Sequence, residues 1–188
     1  ALIERDGALA AERYNNGGSG RVYGLEMMLR HKAYKHFNGW ISYTLMRSER
    51  RDGPDDDLRL FSYDQTHILT ALGTYELPRN WEIGFRWRLV SGLPTTPVIG
   101  SVYINDLDEY QPVRGEVNSD RIPAFHQLDI RVDKHWIHDA WRFSAYLDVQ
   151  NVYNRTNPNT ASYNFDYTEQ SYSQSLPIVP IVGLRAEY

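Results

Sequence analysis

In three segments of the chain, charged side chains are separated by even numbers of residues. Because alternate residues of a β-strand point to the same side, we predict that these charges share one wet face of a sheet. That face either contacts a charged ligand or another part of the protein, or is a solvated ladder of charges. The residues concerned are Arg86, Arg88, Asp129, Arg131, Asp133, Arg142 and Asp148.

A short turn at residues 137–140 joins two of these segments and sets an expected register. It places Asp129 beside Asp148 and His135 beside Arg142 on neighbouring strands. Two carboxylates facing each other need a counterion, water or a basic neighbour such as Arg131.

Other residue types capable of chemistry form no recognisable site. Asp52 and the acidic run 55–57 offer the oxygen ligands that Ca²⁺ prefers, but they lack the spacing of a coordination loop, so we predict a solvated loop. The six histidines form no close ligand motif, and no nucleophile elbow or ordered Ser-His-Asp signature is present. We therefore predict no metal, no cofactor and no enzymatic activity.

Tyrosines are prominent in the two longest connections. Tyr103 and Tyr110 lie within residues 91–123, and Tyr163 and Tyr167 lie in the polar segment after Asn154. A tyrosine combines a large contact surface with a hydroxyl group, and binding residues concentrate on loops. We predict that these four side chains contact a ligand.

Seven segments alternate apolar and polar residues as β-strands do. The clearest covers residues 81–89, with Trp, Ile, Phe, Trp and Leu at the odd positions. Nine residues at about 3.3 Å each, tilted by roughly 45°, span about 21 Å, close to the lipid-facing band of an outer-membrane barrel. The segment 66–76 is ambiguous, because its apolar residues occupy both faces. The other strands are predicted at residues 23–30, 40–48, 128–136, 141–150 and 176–188.

Short and long connections alternate along the chain. In a meander all short turns then lie at one end and all long loops at the other, as in transmembrane barrels with short periplasmic turns and long extracellular loops. Single-chain bacterial barrels normally have an even number of strands, so an odd count of seven leads us to expect further strands outside this sequence and a periplasmic C-terminus. Residues 1–19 are then predicted to be an extracellular loop remnant, and residues 20–188 the C-terminal barrel strands.

Composition agrees with a membrane barrel. Aromatic residues make up 13% of the 188 residues, which aromatic girdles at two membrane interfaces would explain. The formal net charge of −4 gives no indication of nucleic-acid binding. A soluble, Tyr-rich β-sandwich is the alternative fold and the one that composition alone favours, but the apolar stripe at 81–89 and the terminal Tyr188 argue against it.

Short motifs occur in an order and spacing that resemble the C-terminal part of the β-barrel of TonB-dependent outer-membrane receptors. The resemblance extends from about residue 20 to the C-terminus. The motifs are GLE (24–26), GWISYT (39–44), FSYDQTH (61–67), VSGLPTTP (90–97), HQLDIRVD (126–133), LDVQNVYN (147–154) and GLRAEY (183–188).

This resemblance implies an all-β fold, a transmembrane antiparallel β-barrel of about 22 strands with a plugged lumen, of which about seven are present here. It also implies import of a scarce ligand of the siderophore, cobalamin, glycan or peptide class across the outer membrane of a Gram-negative bacterium. The implied partners are the lipid bilayer, the remaining strands and plug of the same receptor, and the TonB system. The seven charged residues would then face the lumen.

The C-terminal residues resemble the signal by which the barrel-assembly machinery recognises its clients. The positions concerned are Gly183, Leu184, Ala186 and Tyr188, although Ala186 is smaller than the large apolar residue usual there. A structural or adhesive outer-membrane barrel that does not transport is the alternative function.

Overall fold

The computed structural model describes the backbone of residues 2–5 and 8–11, together with residues 17–188. Within these residues no helix is long and apolar enough to cross a membrane. The strands are β1 (Leu2–Arg5), β2 (Ala8–Ala11), β3 (Ser19–Tyr34), β4 (Phe37–Arg51), β5 (Arg59–Leu60), β6 (His67–Leu77), β7 (Trp81–Val90), β8 (Pro94–Thr95), β9 (Val98–Ile104), β10 (Glu109–Arg114), β11 (Asp120–Arg121), β12 (Phe125–Ile137), β13 (Arg142–Gln150), β14 (Pro158–Tyr163), β15 (Gln170–Gln174) and β16 (Val179–Glu187).

Seven long strands form one antiparallel meander in the order β16-β13-β12-β7-β6-β4-β3, and the short β5 pairs with β4. The predicted all-β fold and the seven strands are confirmed. β3 and β4 are longer than their predicted segments, because their pairing continues from Leu25 and Leu45 up to Ser19 and Arg51. Within the described residues the outer edges of β3 and β16 have no partner strand, so the barrel is not closed in this chain.

The three short connections lie together at one end of the sheet, which we call the turn edge. Between β3 and β4 only Lys35 and His36 intervene, with φ of 48° and 70°. Positive φ at both central residues is what a two-residue type I′ hairpin turn requires. Residues 78–80 connect β6 to β7, and residues 138–141 connect β12 to β13.

The opposite end of the sheet, the loop edge, carries the long connections. The connection from β7 to β12 contains the paired strands β9 and β10, and the one from β13 to β16 contains β14 and β15. Of the predicted loop remnant 1–19, residues 2–5 and 8–11 pair as β1 and β2, while residues 1, 6–7 and 12–16 lie outside the described residues. These two long connections are therefore structured hairpins rather than irregular segments.

Strand register separates the sheet into an apolar face and a charged face. On β7 the apolar face carries Trp81, Ile83, Phe85, Trp87 and Leu89, and their partners on β6 and β12 continue it. The ambiguous segment is resolved by the same register. Leu69 and Ala71 pair with Leu89 and Trp87 on the apolar face, whereas Ile68 and Leu72 belong to the charged face.

The sheet buries almost no hydrophobic core of its own. Among the described residues only Val90 is a buried hydrophobic side chain, whereas Val182 is 75% and Leu184 is 68% exposed. A β-sandwich would bury such a face against a second sheet. An apolar face with no second sheet against it is what a lipid-facing barrel wall looks like.

Candidate functional site

The charged face is organised around Asp129 on β12. Arg86 on β7 donates two hydrogen bonds to Oδ2 of Asp129, at 2.9 Å from Nε and 2.6 Å from Nη2. Oδ1 accepts bonds from Nε2 of Gln127 at 2.6 Å and from the backbone N–H of Asn151 at 3.0 Å. Only 6% of Asp129 is exposed, and its carboxylate is satisfied by a cation and two neutral donors.

A second pair lies beside the first on the same face. Arg131 donates to both carboxylate oxygens of Asp133 at 2.7 Å, and its guanidinium lies 3.8 Å from the centroid of the Tyr146 ring. A bidentate ion pair that also stacks on an aromatic ring holds the arginine in one orientation. The charged residues are therefore paired with one another along this part of the wall.

The predicted pairing of Asp129 with Asp148 and of His135 with Arg142 is wrong by two residues. Asp148 pairs with Arg131, and His135 pairs with Ser144, whose Oγ lies 2.8 Å from its Nδ1. The reason is the turn: the N–H of His138 donates to the carbonyl of Trp141 at 2.9 Å, so β13 begins at Arg142 rather than Trp141. A shift of two keeps every side chain on its face but places opposite charges, rather than two carboxylates, across the strands.

The other predicted charges lie on the same face. The guanidinium of Arg88 lies 5.6 Å from the ring centroid of Phe125, and Arg142 pairs in register with Glu187. Between the central residues the sheet has a depression of about 300 Å³, lined on this face by Leu72, Thr74, Arg86, Asp129, Arg131, Asp148 and Gln150. All seven predicted charges thus share one surface, and four of them line one depression.

Gly183 on β16 has a local structural role. It pairs with Tyr146 on β13, and a Cβ atom at position 183 would overlap the tyrosine ring. The ring therefore lies across the glycine and under Arg131. An aromatic side chain that covers a glycine on the neighbouring strand helps to fix the register of the two paired strands. Leu184 and Ala186 lie on the apolar face, where their partners are Ala145 and Phe143.

At the loop edge, the hairpins β9–β10 and β14–β15 contact each other. Tyr110 meets Phe165 edge to face, with ring centroids 5.4 Å apart and an interplanar angle of 84°. Oγ of Ser101 donates to the carbonyl of Asp166 at 2.6 Å. We call the joined hairpins the loop platform. Phe165 was not predicted, although it lies in the same Tyr-rich run as Tyr163 and Tyr167.

The four predicted tyrosines all belong to this platform. Tyr103 packs against Tyr110 with ring centroids 5.0 Å apart, and its hydroxyl donates to Asp108. Tyr163 and Tyr167 have centroids 6.0 Å apart, and the Tyr163 hydroxyl accepts a bond from the N–H of Val98 at 3.4 Å. Residues from two separate loops are thus brought into one aromatic surface.

A buried ion pair connects the bases of two of the long loops. Asp64, 0% exposed, accepts hydrogen bonds from Arg121, from the N–H of Ser48 at 2.7 Å and from Oγ1 of Thr66 at 2.8 Å. Burial alone would raise the pKa of Asp64, but these donors outweigh it and hold the pKa below its ordinary value. Arg121 also donates to the carbonyl of Gly92 at 2.9 Å, so one side chain ties the two loops together.

Two buried asparagines fasten the last loop in a similar way. Asn151, at φ 53°, accepts from the N–H of Arg155 at 3.0 Å and donates to the Arg155 carbonyl at 2.9 Å. Asn157 bonds both the N–H and the carbonyl of His126, at 3.1 and 3.0 Å. Sequence reasoning missed Asp64, Arg121 and both asparagines as positioning residues. The signal for Asp64 and the two asparagines was an Asp or Asn near a strand-to-loop boundary, where its side chain can bond the backbone, whereas Arg121 had no such signal.

The residues considered for metal binding are engaged elsewhere or dispersed. Asp52 forms ion pairs with Arg50 at 2.9 Å and with Arg59 at 2.5 Å. In the part of the chain that the structure describes, no group of three or more His, Asp or Glu side chains is arranged to hold a metal ion.

The family model described as "TonB dependent receptor-like, beta-barrel" matches residues 2–152. The matched residues include the long strands β3 to β13 and the loop that contains β9 and β10. No curated protein and no solved structure matches the chain.

Proposed function

The chain belongs to the TonB-dependent receptor-like β-barrel family, and from that premise we propose that it forms part of the wall and outer loops of a receptor that imports a scarce ligand. The ligand classes we propose are siderophores, cobalamin, glycans or peptides. The receptor acts as a transporter rather than an enzyme, without a cofactor of its own, in the outer membrane of a Gram-negative bacterium.

The observation that carries this proposal is the loop platform. Aromatic side chains from two loops meet there, with Phe165 80% exposed and joined to Tyr110 by an edge-to-face contact. Rigid aromatic residues give a large contact surface at a low cost in conformational entropy. The platform stands at the loop edge, which we assign to the cell exterior because the short turns of such barrels are periplasmic.

The two faces of the sheet support the same assignment. We propose that the apolar face contacts membrane lipid and that the charged face lines the lumen, where a plug, the remaining strands and TonB-driven movements of the plug complete the transport cycle. A water-filled lumen is a suitable environment for the ion pairs Arg86–Asp129 and Arg131–Asp133, whereas lipid is not. Arg88, Arg142 and Asp148 are the further lumen-facing residues. Nucleic acid is not among the proposed partners.

The proposal is tested by uptake in cells that express the full-length receptor with and without a functional TonB system. We expect growth on a ferric siderophore, cobalamin, a glycan or a peptide to depend on both receptor and TonB. Replacing Tyr110 and Phe165 by Ala should reduce that growth while the receptor stays in the outer membrane. Tyr63→Ala is the matched control, because Tyr63 is exposed and contacts Phe61 rather than the platform.

Two results would contradict the proposal. Uptake of every tested class without TonB would exclude a TonB-dependent receptor. Cell adhesion that depends on the platform, without uptake of any tested class, would instead indicate an adhesive barrel.

A further inference from the structure

One lysine stands in the apolar face. In the rows of β6, β7, β12, β13 and β16 that form this face, all within the described residues, Lys134 is the only charged side chain. It pairs with Trp81 on β7 and Ala145 on β13. A charged amine in a lipid-facing row is costly unless it reaches polar partners near the membrane surface.

The surroundings of Lys134 hold its ammonium group at the turn edge. Its Nζ lies 5.4 Å from the ring centroid of Trp81 and 5.8 Å from that of Trp136, and it donates a hydrogen bond to the carbonyl of Arg79. Both tryptophans are 41% exposed, and tryptophan rings concentrate at the headgroup level of a bilayer. An ammonium group has three donors, and the Arg79 carbonyl accepts one of them.

An apolar groove lies on the same face, further toward the membrane centre. It has a volume of about 140 Å³ and is lined mainly by Phe37, Gly73, Tyr75, Ile83, Phe85 and Ile130. The rings of Phe85 and Phe37 lie over Gly73, where a Cβ atom would be 2.6 Å from Cε1 of Phe85 and 2.9 Å from Cε2 of Phe37, so the glycine lets both rings form the groove's lining. Ile130 is four residues from Lys134 on β12, a distance of about 13 Å along a strand.

Three consecutive cross-strand pairs on the apolar face connect the lysine to the groove. Lys134 pairs with Trp81, Val132 with Ile83, and Ile130 with Phe85. A cation at headgroup height and an apolar groove about 13 Å deeper match the two parts of a phospholipid, its phosphate and an acyl chain.

We propose that this surface binds one glycerophospholipid of the periplasmic leaflet, with its phosphate on Lys134 between Trp81 and Trp136 and an acyl chain along Ile83 into the groove beside Gly73. The inference rests on the proposed function only in taking the apolar face to be lipid-facing and the turn edge to be periplasmic. Charge complementarity selects a phosphate-bearing lipid over a neutral one.

The test is native mass spectrometry of the full-length receptor, purified in detergent, delipidated and supplied with phosphatidylglycerol or with diacylglycerol of the same chains. We expect one retained phosphatidylglycerol and little diacylglycerol. Lys134→Gln should weaken retention about tenfold, since it removes a charged hydrogen bond to phosphate. Ile83→Trp, which adds bulk beside the groove, should also weaken it.

Arg142→Gln is the matched control, because it removes a positive charge from the charged face at the same edge of the sheet. Equal retention by the wild type and Lys134→Gln, or equal retention of the two lipids, would overturn the inference. Either result would leave the proposed import function standing, because that function is tested separately by uptake of the cargo. Failure of the receptor to fractionate with the outer membrane would instead count against the proposed function.

Discussion

Arg121 donates its Nη2 hydrogen to the fully buried carboxylate of Asp64, which lies 57 residues earlier in the chain. The two residues belong to different loops at the loop edge, one after β4 and one before β12. Their contact fixes the bases of these two loops relative to each other. The contact lies between the sheet and the loop platform.

Replacing Arg121 by Met should destabilise the receptor by about 3–5 kcal/mol, because the buried Asp64 carboxylate would lose its counterion. The measurement is thermal unfolding in detergent, combined with limited proteolysis of the loops. Arg59→Met is the control. Arg59 pairs with the half-exposed Asp52, where solvent screens the charges, so its loss should cost much less. Equal effects of the two substitutions would show that the buried pair has no special role.

The same ion pair predicts a dependence of stability on pH. Its hydrogen bonds hold the folded-state pKa of Asp64 below the ordinary value, so the contribution is complete above the unfolded-state pKa of about 3.9. It is lost as the pH falls through the folded-state pKa. We expect the melting temperature of the wild type to fall below about pH 4 more steeply than that of Asp64→Asn. Parallel pH profiles of the two proteins would contradict this.

Gly183→Ala should destabilise the pairing of β16 with β13, because the added methyl group has no space beside Tyr146. Overpacking of this kind costs about 1–3 kcal/mol. The double variant Gly183→Ala, Tyr146→Ala should recover part of that loss, since it removes the ring. The heat-dependent mobility of the folded barrel on a gel measures both. A double variant no better than the sum of its single changes would exclude the steric explanation.

Tyr188→Asp tests the proposed assembly signal. The residue follows β16 and is fully exposed, so the substitution removes no internal contact that would affect folding directly. If Gly183, Leu184, Ala186 and Tyr188 are read by the barrel-assembly machinery, the variant should be synthesised normally but reach the outer membrane in reduced amount. Tyr188→Phe, which keeps the ring, should assemble normally. Membrane fractionation compares the two, and wild-type levels of Tyr188→Asp would exclude the signal.

Most of the strands could be predicted from sequence because they carry a period of two over nearly their whole length. Residues 81–89 and β7 agree almost to the residue. The strand at 66–76 could not be assigned to faces from its own pattern, since Ile68 and Leu72 are apolar on the charged face. Only pairing with Val90 and Arg86 on β7 distinguishes them from Leu69 and Ala71.

The interactions that position the loops were not predictable in the same way. The register error at 137–140 arose because a turn of four residues, closed by a bond between His138 and Trp141, has no distinctive sequence pattern. Contacts such as Tyr110 with Phe165 join residues from loops that a local pattern cannot relate. The four tyrosines could be predicted from their residue type and their position in the loops. The contacts between the two loops depend on the conformation of both hairpins, which a local pattern does not give.

The loop bases are held largely by side chains that bond main-chain atoms. Asn118 donates to the carbonyl of Leu60 at 2.7 Å, Arg121 to that of Gly92, and Asn157 to that of His126. A main-chain carbonyl is the same whatever side chain its residue carries. Substitutions at Leu60 and His126 therefore keep the accepting carbonyls, so the side chains of these two positions can change during evolution while the loop bases stay held. Gly92 is the exception, because a Cβ atom there would overlap the carbonyl of Ile122.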